Sequence, residues 1–286
     1  GINCRGRIYL LGERKEKFLL GCINEIGARQ AADNVSNLLG ENTFKEHLMQ
    51  YHGEHRTGYI LRVGIDDIKD INERFGMEYG DHVLRVLADC MKAVAQAGQQ
   101  IYRILGDEFI FMDYCGGTIG QAVEVYNAIC RRLEASIEQD NYRAVYTISG
   151  GIVTSEHVKG LDYSAMMKIS QFALSQAKNA GKNQVYLFED ADYQKFLRRR
   201  NILRAVRQAV GEDFKGFELY FQPIMEAGNG QLFAAETLLR FHMSEHEMLS
   251  PVEFIPVLED SGLIIPVGKW ILKNALAMCR ECQQIR

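Results

Sequence analysis

Asp107 and Glu108 are adjacent acids at the point where two apolar, β-prone runs meet, Ile101 to Leu105 on one side and Phe109 to Met112 on the other. Gly106-Asp107 supplies a tight connection tolerant of positive φ, so the stretch reads as a β-hairpin with two carboxylates at its tip. Carboxylate oxygens are what magnesium takes from a protein, usually one or two of them together with substrate phosphates and water. Acids at a hairpin tip are also ordinary solvated turn residues. The pair acquires meaning only from the elements that position it.

Strands and helices interleave on both sides of this hairpin. The sequence predicts helices over Phe44 to Tyr51, Ile68 to Phe75 (closed by Gly76), Asp81 to Ala97, Ile119 to Glu138 and Tyr163 to Lys178. In the third, Val83, Leu84, Leu87, Met91 and Val94 recur at i, i+3, i+4 spacing and define one apolar face. Strands are predicted at Tyr59 to Ile65, Ala144 to Val153 and Gln184 to Phe188. This alternation around one hairpin predicts an α/β sandwich with a mixed sheet. Before it, Arg7 to Leu11 and Phe18 to Ile23 read as a terminal hairpin. After it, Tyr193 to Val210 reads as a linker helix.

At 286 residues the chain is long enough for two domains, each with its own core. Its 47% apolar and 24% charged residues are ordinary globular values, and no run of about 18 apolar residues marks a membrane span. No secretory signal is read at Gly1. A net charge of −4 argues against a bulk nucleic-acid binder, and the stripe Arg198-Arg199-Arg200 with Arg204 and Arg207 reads as a solvated helix face. The cysteines, seven and therefore odd in number, are scattered in a way that suits reduced thiols in a cytoplasm.

Two patterns imitate metal sites. Cys279-Arg280-Glu281-Cys282 has zinc-ligand spacing but no second pair nearby, so it reads as one helical turn of partly buried thiols. His242-Met243-Ser244-Glu245-His246 matches a metalloprotease pattern whose chemistry needs both histidines on one helix face. It lies between a strand and Ser250-Pro251 and reads as a loop.

Leu105-Gly106-Asp107-Glu108-Phe109 resembles the GGDEF signature of diguanylate cyclases, which condense two GTP into cyclic di-GMP, with leucine in place of the first glycine. Several ordered motifs extend the resemblance. Asp33-Asn34-Val35-Ser36-Asn37-Leu38 resembles the D-x-L-T-G-L opening of the domain, and Gly64-Ile65-Asp66-Asp67-Ile68-Lys69-Asp70-Ile71-Asn72 resembles D-I-D-x-F-K-x-I-N. Gly76 with Gly80-Asp81 matches the following G-x-x-x-G-D, and Ala177-Lys178 with Gly181-Lys182-Asn183 matches A-K-x-x-G-R-N. Farther on, Leu219 to Ile224 resembles the L-x-Y-Q-P-I strand that opens EAL phosphodiesterase domains, and Ala235-Glu236-Thr237-Leu238-Leu239-Arg240 resembles A-E-A-L-L-R. Ser250 to Pro256, Glu259 and Gly262 continue that pattern. Residues 1 to 24 with Asn24 to Gly27 faintly resemble the end of a PAS sensor domain and its exit helix.

The resemblance implies an α/β (α+β) fold, a GGDEF nucleotide-cyclase-like sandwich of a mixed central sheet and helices followed by the opening strands and helices of an EAL TIM-type barrel. It implies a division into residues 1–28 (hairpin and linker), 29–190 (GGDEF), 191–213 (linker helix) and 214–286 (the N-terminal part of EAL). By the same resemblance Asp107 and Glu108 are the catalytic acids, Asp107 binds Mg2+ or Mn2+, and Asn72 and Asp81 read the guanine edge. Lys178 and Lys182, four apart, lie along one edge toward phosphates if the first turn persists. Glu236 is implied as an EAL metal ligand, with Gln222 and Arg240 as substrate contacts; the remaining EAL ligands are expected beyond Arg286.

Among the departures from the family, which include Lys182 for arginine in G-R-N and Thr237 in A-E-A-L-L-R, two bear directly on catalysis. Gly64 stands where the family has a metal-binding aspartate, and Leu105 puts a side chain where backbone approaches a phosphate. Asp66 lies on the same face of the strand about 6 to 7 Å further on, too far to substitute directly. Asp66 and Asp67 are read instead as acids at a helix N-terminus. The family's product-inhibition motif, R-x-x-D, falls on Gln96 and Gln99, so feedback binding of cyclic di-GMP is not expected. Three functions remain open: a degenerate GGDEF domain that binds GTP in a regulatory role, an active diguanylate cyclase, and a non-catalytic interaction module. The expected partners are GTP, cyclic di-GMP through a complete EAL domain, and a second copy in an optional homodimer. Neither nucleic acid nor a membrane segment is expected, and the expected compartment is the cytoplasm of a bacterium.

Overall fold

A computed structural model describes residues 2–11, 16–25, 33–141 and 143–284. By their contacts these form two units, residues 1–190 and 191–286. In the first, β1 (Ile2–Leu11) pairs antiparallel with β2 (Glu16–Glu25), Ile2 opposite Glu25 and Leu11 opposite Glu16. The intervening 12–15 and the PAS-like exit at 26–27 lie outside the described residues.

There follow α1 (Glu41–Gly53), β3 (Tyr59–Ile65), α2 (Ile68–Phe75), α3 (Met77–Val94), β4 (Gln100–Leu105), β5 (Glu108–Asp113), α4 (Ile119–Gln139), β6 (Ile148–Thr154), α5 (Tyr163–Asn179) and β7 (Val185–Leu187). The sheet order is β4-β5-β3-β6-β7, with β6 and β7 parallel and the other pairs antiparallel. Strand β3 is central and buried along its whole length. Because side chains alternate across a strand, Tyr59, Leu61, Val63 and Ile65 enter one core with Phe109, Phe111 and the apolar faces of α3 and α4. Arg62 and Gly64 face the other way, toward α5.

Helix α5 rests almost directly on β6. A Cβ at Gly151 would stand 2.4 Å from the Leu174 backbone nitrogen and 2.6 Å from the Ala173 carbonyl carbon. Backbone cannot yield as a flexible side chain can, so Gly151→Ala is expected to destabilise the first unit by about 1–3 kcal/mol. A chemical denaturation midpoint equal to that of the parent would contradict this packing. The other ends are set locally: Thr118 and Gln121 form a capping box at α4, and the Asp162 carboxylate accepts from the Ala165 N–H at 2.7 Å to start α5.

Several boundaries differ from the sequence reading: α1 begins at Glu41 rather than Phe44, α3 ends at Val94 rather than Ala97, and the helix expected from Tyr193 begins at Asp190. Helix α3 begins at Met77, because Gly76 at φ +87° makes the whole break from α2 and the chain resumes its helix at once. Asp81 therefore lies inside α3 rather than at its start. Strand β6 begins at Ile148 rather than Ala144, although Ala144 and Tyr146 are themselves buried.

In the second unit α6 (Asp190–Gly211), β8 (Phe217–Met225), β9 (Leu232–Ser244), β10 (Glu247–Leu249), α7 (Pro251–Asp260) and α8 (Ile264–Gln284) follow in order, the strands forming an antiparallel sheet β10-β9-β8. Ile202, Val206 and Ala209 of α6 enter one core with Phe217, Phe241, Phe254 and Val267. The arginine stripe of α6 is only partly solvated: Arg198 pairs with Glu247 at 2.6 Å and Glu253 at 3.2 Å, and Arg199 with Asp260. No single helix among the described residues is long and apolar enough to cross a membrane.

Among the described residues neither metal look-alike gathers with further His, Cys, Asp or Glu into a group of three. His242 lies in β9, which runs on to Ser244, so the expected loop is the β9–β10 hairpin and the two histidines never share a helix. Cys279 and Cys282 lie one turn apart on α8 as expected, but both are exposed rather than partly buried.

Candidate functional site

The hairpin carrying the acids is held from two sides. At its tip Gly106 has φ +58°, and the Arg103 guanidinium donates to the Gly106 carbonyl through Nε at 3.0 Å and Nη2 at 2.7 Å. Arg103 Nη1 reaches Asp33 Oδ2 at 2.7 Å. The same carboxylate oxygen accepts from the Ser36 N–H at 2.6 Å and hydroxyl at 2.7 Å. Partial burial alone would raise the Asp33 pKa, but these bonds from Ser36 and Arg103 outweigh it and hold the carboxyl below the usual range. Asp33 and Arg103, which sequence reasoning did not single out as functional, thus tie the domain opening to the signature turn.

Glu108 has a different setting from Asp107. Arg62 donates to Glu108 Oε2 through Nε at 2.8 Å and also through Nη2, while Gln171 Nε2 donates to the other oxygen at 3.2 Å. Arg62 Nη1 continues to the Ser170 hydroxyl at 3.1 Å and the Met167 carbonyl at 3.3 Å. The Arg62 side chain is 6% exposed and that of Glu108 18%, so this is a largely buried pair beneath α5, in which two guanidinium nitrogens share one carboxylate oxygen. Its acid is engaged before any ligand arrives.

Gly64 stands directly opposite Glu108 on β5 and Ser149 on β6. The space above it belongs to Lys178. A Cβ built on Gly64 would lie 3.0 Å from Lys178 Nζ and 3.2 Å from both its Cε and Leu174 Cδ2. The ammonium donates to the Ile65 carbonyl at 3.2 Å and stands 3.6 Å from Asp107 Oδ2. Glycine at 64 and lysine at 178 therefore act together: absence of a side chain on the strand admits the cation over it. Leu105 is 75% exposed and reaches solvent rather than this space.

Asp67 stands at the N-terminus of α2 as expected, whereas Asp66 is engaged elsewhere. Asp66 is buried and accepts from the hydroxyls of Thr147 and Ser149, each at 2.7 Å, and from the Asn183 N–H at 3.2 Å. It pins β6 and the turn after α5 to the end of β3. Asp67 occupies the N-cap position of α2 with φ 53° and makes no side-chain cap; its carboxylate pairs with Lys182 Nζ at 2.7 and 2.8 Å. That hydrogen bond holds the exposed Lys182 ammonium above its ordinary pKa. The two lysines do not share a helical edge, since α5 ends at Asn179 and the chain turns through Gly181 and Lys182 at φ 120° and 62°. Lys178 faces Asp107 and Lys182 faces Asp67.

Asn72 sits on α2 against α3, where a Cβ at Gly80 would meet its Oδ1 at 1.8 Å. That oxygen is buried and has no hydrogen-bond partner. A buried acceptor left unpaired costs free energy, and this one is covered by the Gly80 backbone of α3. Asp81 follows Gly80 and is half-buried. Gln96 and Gln99 bond each other at 2.8 Å, Gln96 N–H to Gln99 Oε1, while Gln99 Nε2 donates to Asp113 at 2.8 Å.

In the second unit Gln222 is directly opposite Glu236, and the register puts Arg240 on the same sheet face, its guanidinium 5.4 Å from the Tyr220 ring centroid. Among the described residues no group of three or more His, Cys, Asp or Glu is arranged to hold a metal ion. Asp107 offers one carboxylate with an ammonium beside it, and Glu236 one exposed carboxylate. The Asp107 donor set, as it stands, is a poor fit to a divalent cation.

Residues 31–184 match the family model for the diguanylate cyclase GGDEF domain, and residues 203–286 that for the EAL domain. Among curated relatives, the bifunctional diguanylate cyclase/cyclic di-GMP phosphodiesterase MucR of Pseudomonas aeruginosa is 26% identical over 89% of this chain and 36% of its own length. The biofilm architecture maintenance protein MbaA of Vibrio cholerae is 30% identical over 79% of this chain and 29% of its own. The chain thus spans about a third of the length of these relatives. Among solved structures, the S helix-GGDEF-EAL portion of Vibrio cholerae LapD, bound to c-di-GMP, superposes with a TM-score of 0.51 at 18% identity, covering 88% of this chain and 59% of LapD. The GGDEF domain of Pseudomonas aeruginosa YfiN gives 0.51 at 22% identity, covering 57% and 97%. Both likenesses concern the fold.

Proposed function

Since this chain belongs to the diguanylate cyclase GGDEF-domain family and continues into an EAL domain of cyclic di-GMP signalling, we propose that its GGDEF domain binds GTP in a regulatory role and does not make cyclic di-GMP. The observation that carries this is the Gly64–Lys178 pairing: the strand position opposite the signature acids has no carboxylate, and an ammonium fills its space. Phosphoryl transfer to a ribose hydroxyl needs concentrated positive charge on the transferring phosphate, in this family from divalent cations. One carboxylate paired with lysine is a poor cradle for them.

Support for GTP comes from the opposite end of the site. The amide of Asn72 and the carboxylate of Asp81 are of the types that suit the N1 and N2 hydrogens of guanine; the Asn72 oxygen, covered by Gly80, must turn outward to meet the base. Residues 29–190 would form the nucleotide domain, 191–213 the linker helix and 214–286 the start of the EAL domain, whose partner would be cyclic di-GMP. A homodimer and a cytoplasmic setting belong to the same proposal.

Titration of GTP with a parallel product assay tests it: binding without cyclic di-GMP supports the regulatory role, turnover favours an active cyclase, and neither favours a bare interaction module. Within the binding site, Asp81→Ala is expected to weaken GTP by about 1–3 kcal/mol, because guanine donors are left unsatisfied. Lys182→Ala should cost less, since Lys182 is already paired with Asp67 at the surface. Calorimetry showing equal losses would move the guanine end of the pocket elsewhere.

A further inference from the structure

Resting on the GTP-binding reading, we infer that this site takes the nucleotide phosphates without a divalent cation, the Lys178 ammonium standing in for the metal. Lysine carries three N–H donors. In Lys178 one goes to the Ile65 carbonyl at 3.2 Å and another is directed by charge toward Asp107 at 3.6 Å. The third is left for an incoming anion, and the side chain is 30% exposed, so a phosphate can reach it.

Magnesium would have to displace this arrangement. It binds oxygen at about 2.0–2.1 Å in a near-ideal octahedron. To reach Asp107 Oδ2 at that distance it must enter a space whose neighbour is a positive charge 3.6 Å from the same oxygen. Like charges so close repel strongly in a partly buried site. The second carboxylate that would offset the repulsion is missing at Gly64. Asp66 cannot swing in, because both its oxygens are held by Thr147, Ser149 and the Asn183 N–H. Glu108 is held by Arg62 and Gln171. The nearest acids are thus occupied by partners of their own, and the charge facing the phosphates is lysine.

The experiment is calorimetric titration of GTP into the parent, Lys178→Ala and Gly64→Asp, each in EDTA and in magnesium. The parent should bind at least as tightly in EDTA as in magnesium. Lys178→Ala should lose about tenfold or more in EDTA, the scale of one charge-assisted hydrogen bond, and recover part of it in magnesium because Asp107 is freed. Gly64→Asp should bind more tightly in magnesium than in EDTA, the new carboxylate engaging the ammonium and restoring an acid pair. A parent that binds GTP only with magnesium overturns the inference while leaving the GTP-binding reading intact. Equal affinity of parent and Lys178→Ala in EDTA also overturns it. No binding in either buffer overturns both.

Discussion

Incubated with GTP and magnesium or manganese, this chain is expected to yield little or no cyclic di-GMP, whereas Gly64→Asp combined with Leu105→Gly should yield measurable product. The first substitution returns an acid to the strand position beside Asp107. Its Cβ would lie 3.0 Å from Lys178 Nζ and 3.2 Å from Leu174 Cδ2, so the lysine must withdraw by a few tenths of an ångström. A lysine head group can do that without moving backbone, and it remains available to phosphate. The second substitution removes an exposed side chain from the end of β4, at a backbone cost of about 0.5–1 kcal/mol. A gain of at least tenfold in initial rate over the parent corresponds to about 1.4 kcal/mol of transition-state stabilisation, a modest demand for an added electrostatic group. The comparison is made at equal folded concentration. Robust turnover by the parent would promote the active-cyclase reading. A double variant that folds and binds GTP yet stays silent would show that the site has drifted at more than these two positions.

Arg62→Leu is expected to destabilise the first unit by about 3–5 kcal/mol, because it strands the Glu108 carboxylate in a largely buried site with only Gln171 for a partner. Replacing both members, Arg62→Met with Glu108→Leu, should cost much less or nothing, since the desolvation of two ions disappears with them. The chain has two units, so a single unfolding transition is not assumed. Its one tryptophan, Trp270, lies in the second unit and reports on that unit, while circular dichroism follows the whole chain. A single variant as stable as the parent would show that solvent reaches Glu108 far better than its exposure of 18% indicates.

Local pattern carried much of the fold. Full burial of Tyr59–Ile65 and its bounds follow from seven consecutive residues, of which only Arg62 is charged, and the break at Gly76 follows from a residue that tolerates φ +87°. The signature turn was legible for the same reason: its glycine and flanking apolar runs are neighbours in sequence. Helix starts were read less well. The sequence places the start of α3 at Asp81, but Met77 to Gly80 belong to the helix, and Tyr79 extends its buried face one turn before Val83.

What each charged group does was decided elsewhere. Glu108 and Asp107 are adjacent in sequence, yet one meets Arg62 of β3 and the other Lys178 of α5. Asp66 looked like a helix-capping acid until Thr147, Ser149 and Asn183 were brought to it. The alternation of a strand tells which face a side chain takes, but its partners come from strand register and from how a helix some hundred residues later lies on the sheet. By itself the sequence determined the elements, the family motifs and the absence of a carboxylate at Gly64. Only the tertiary structure decided that a lysine fills the space this absence leaves, because that depends on α5 crossing β3 within reach of a side chain that is not there.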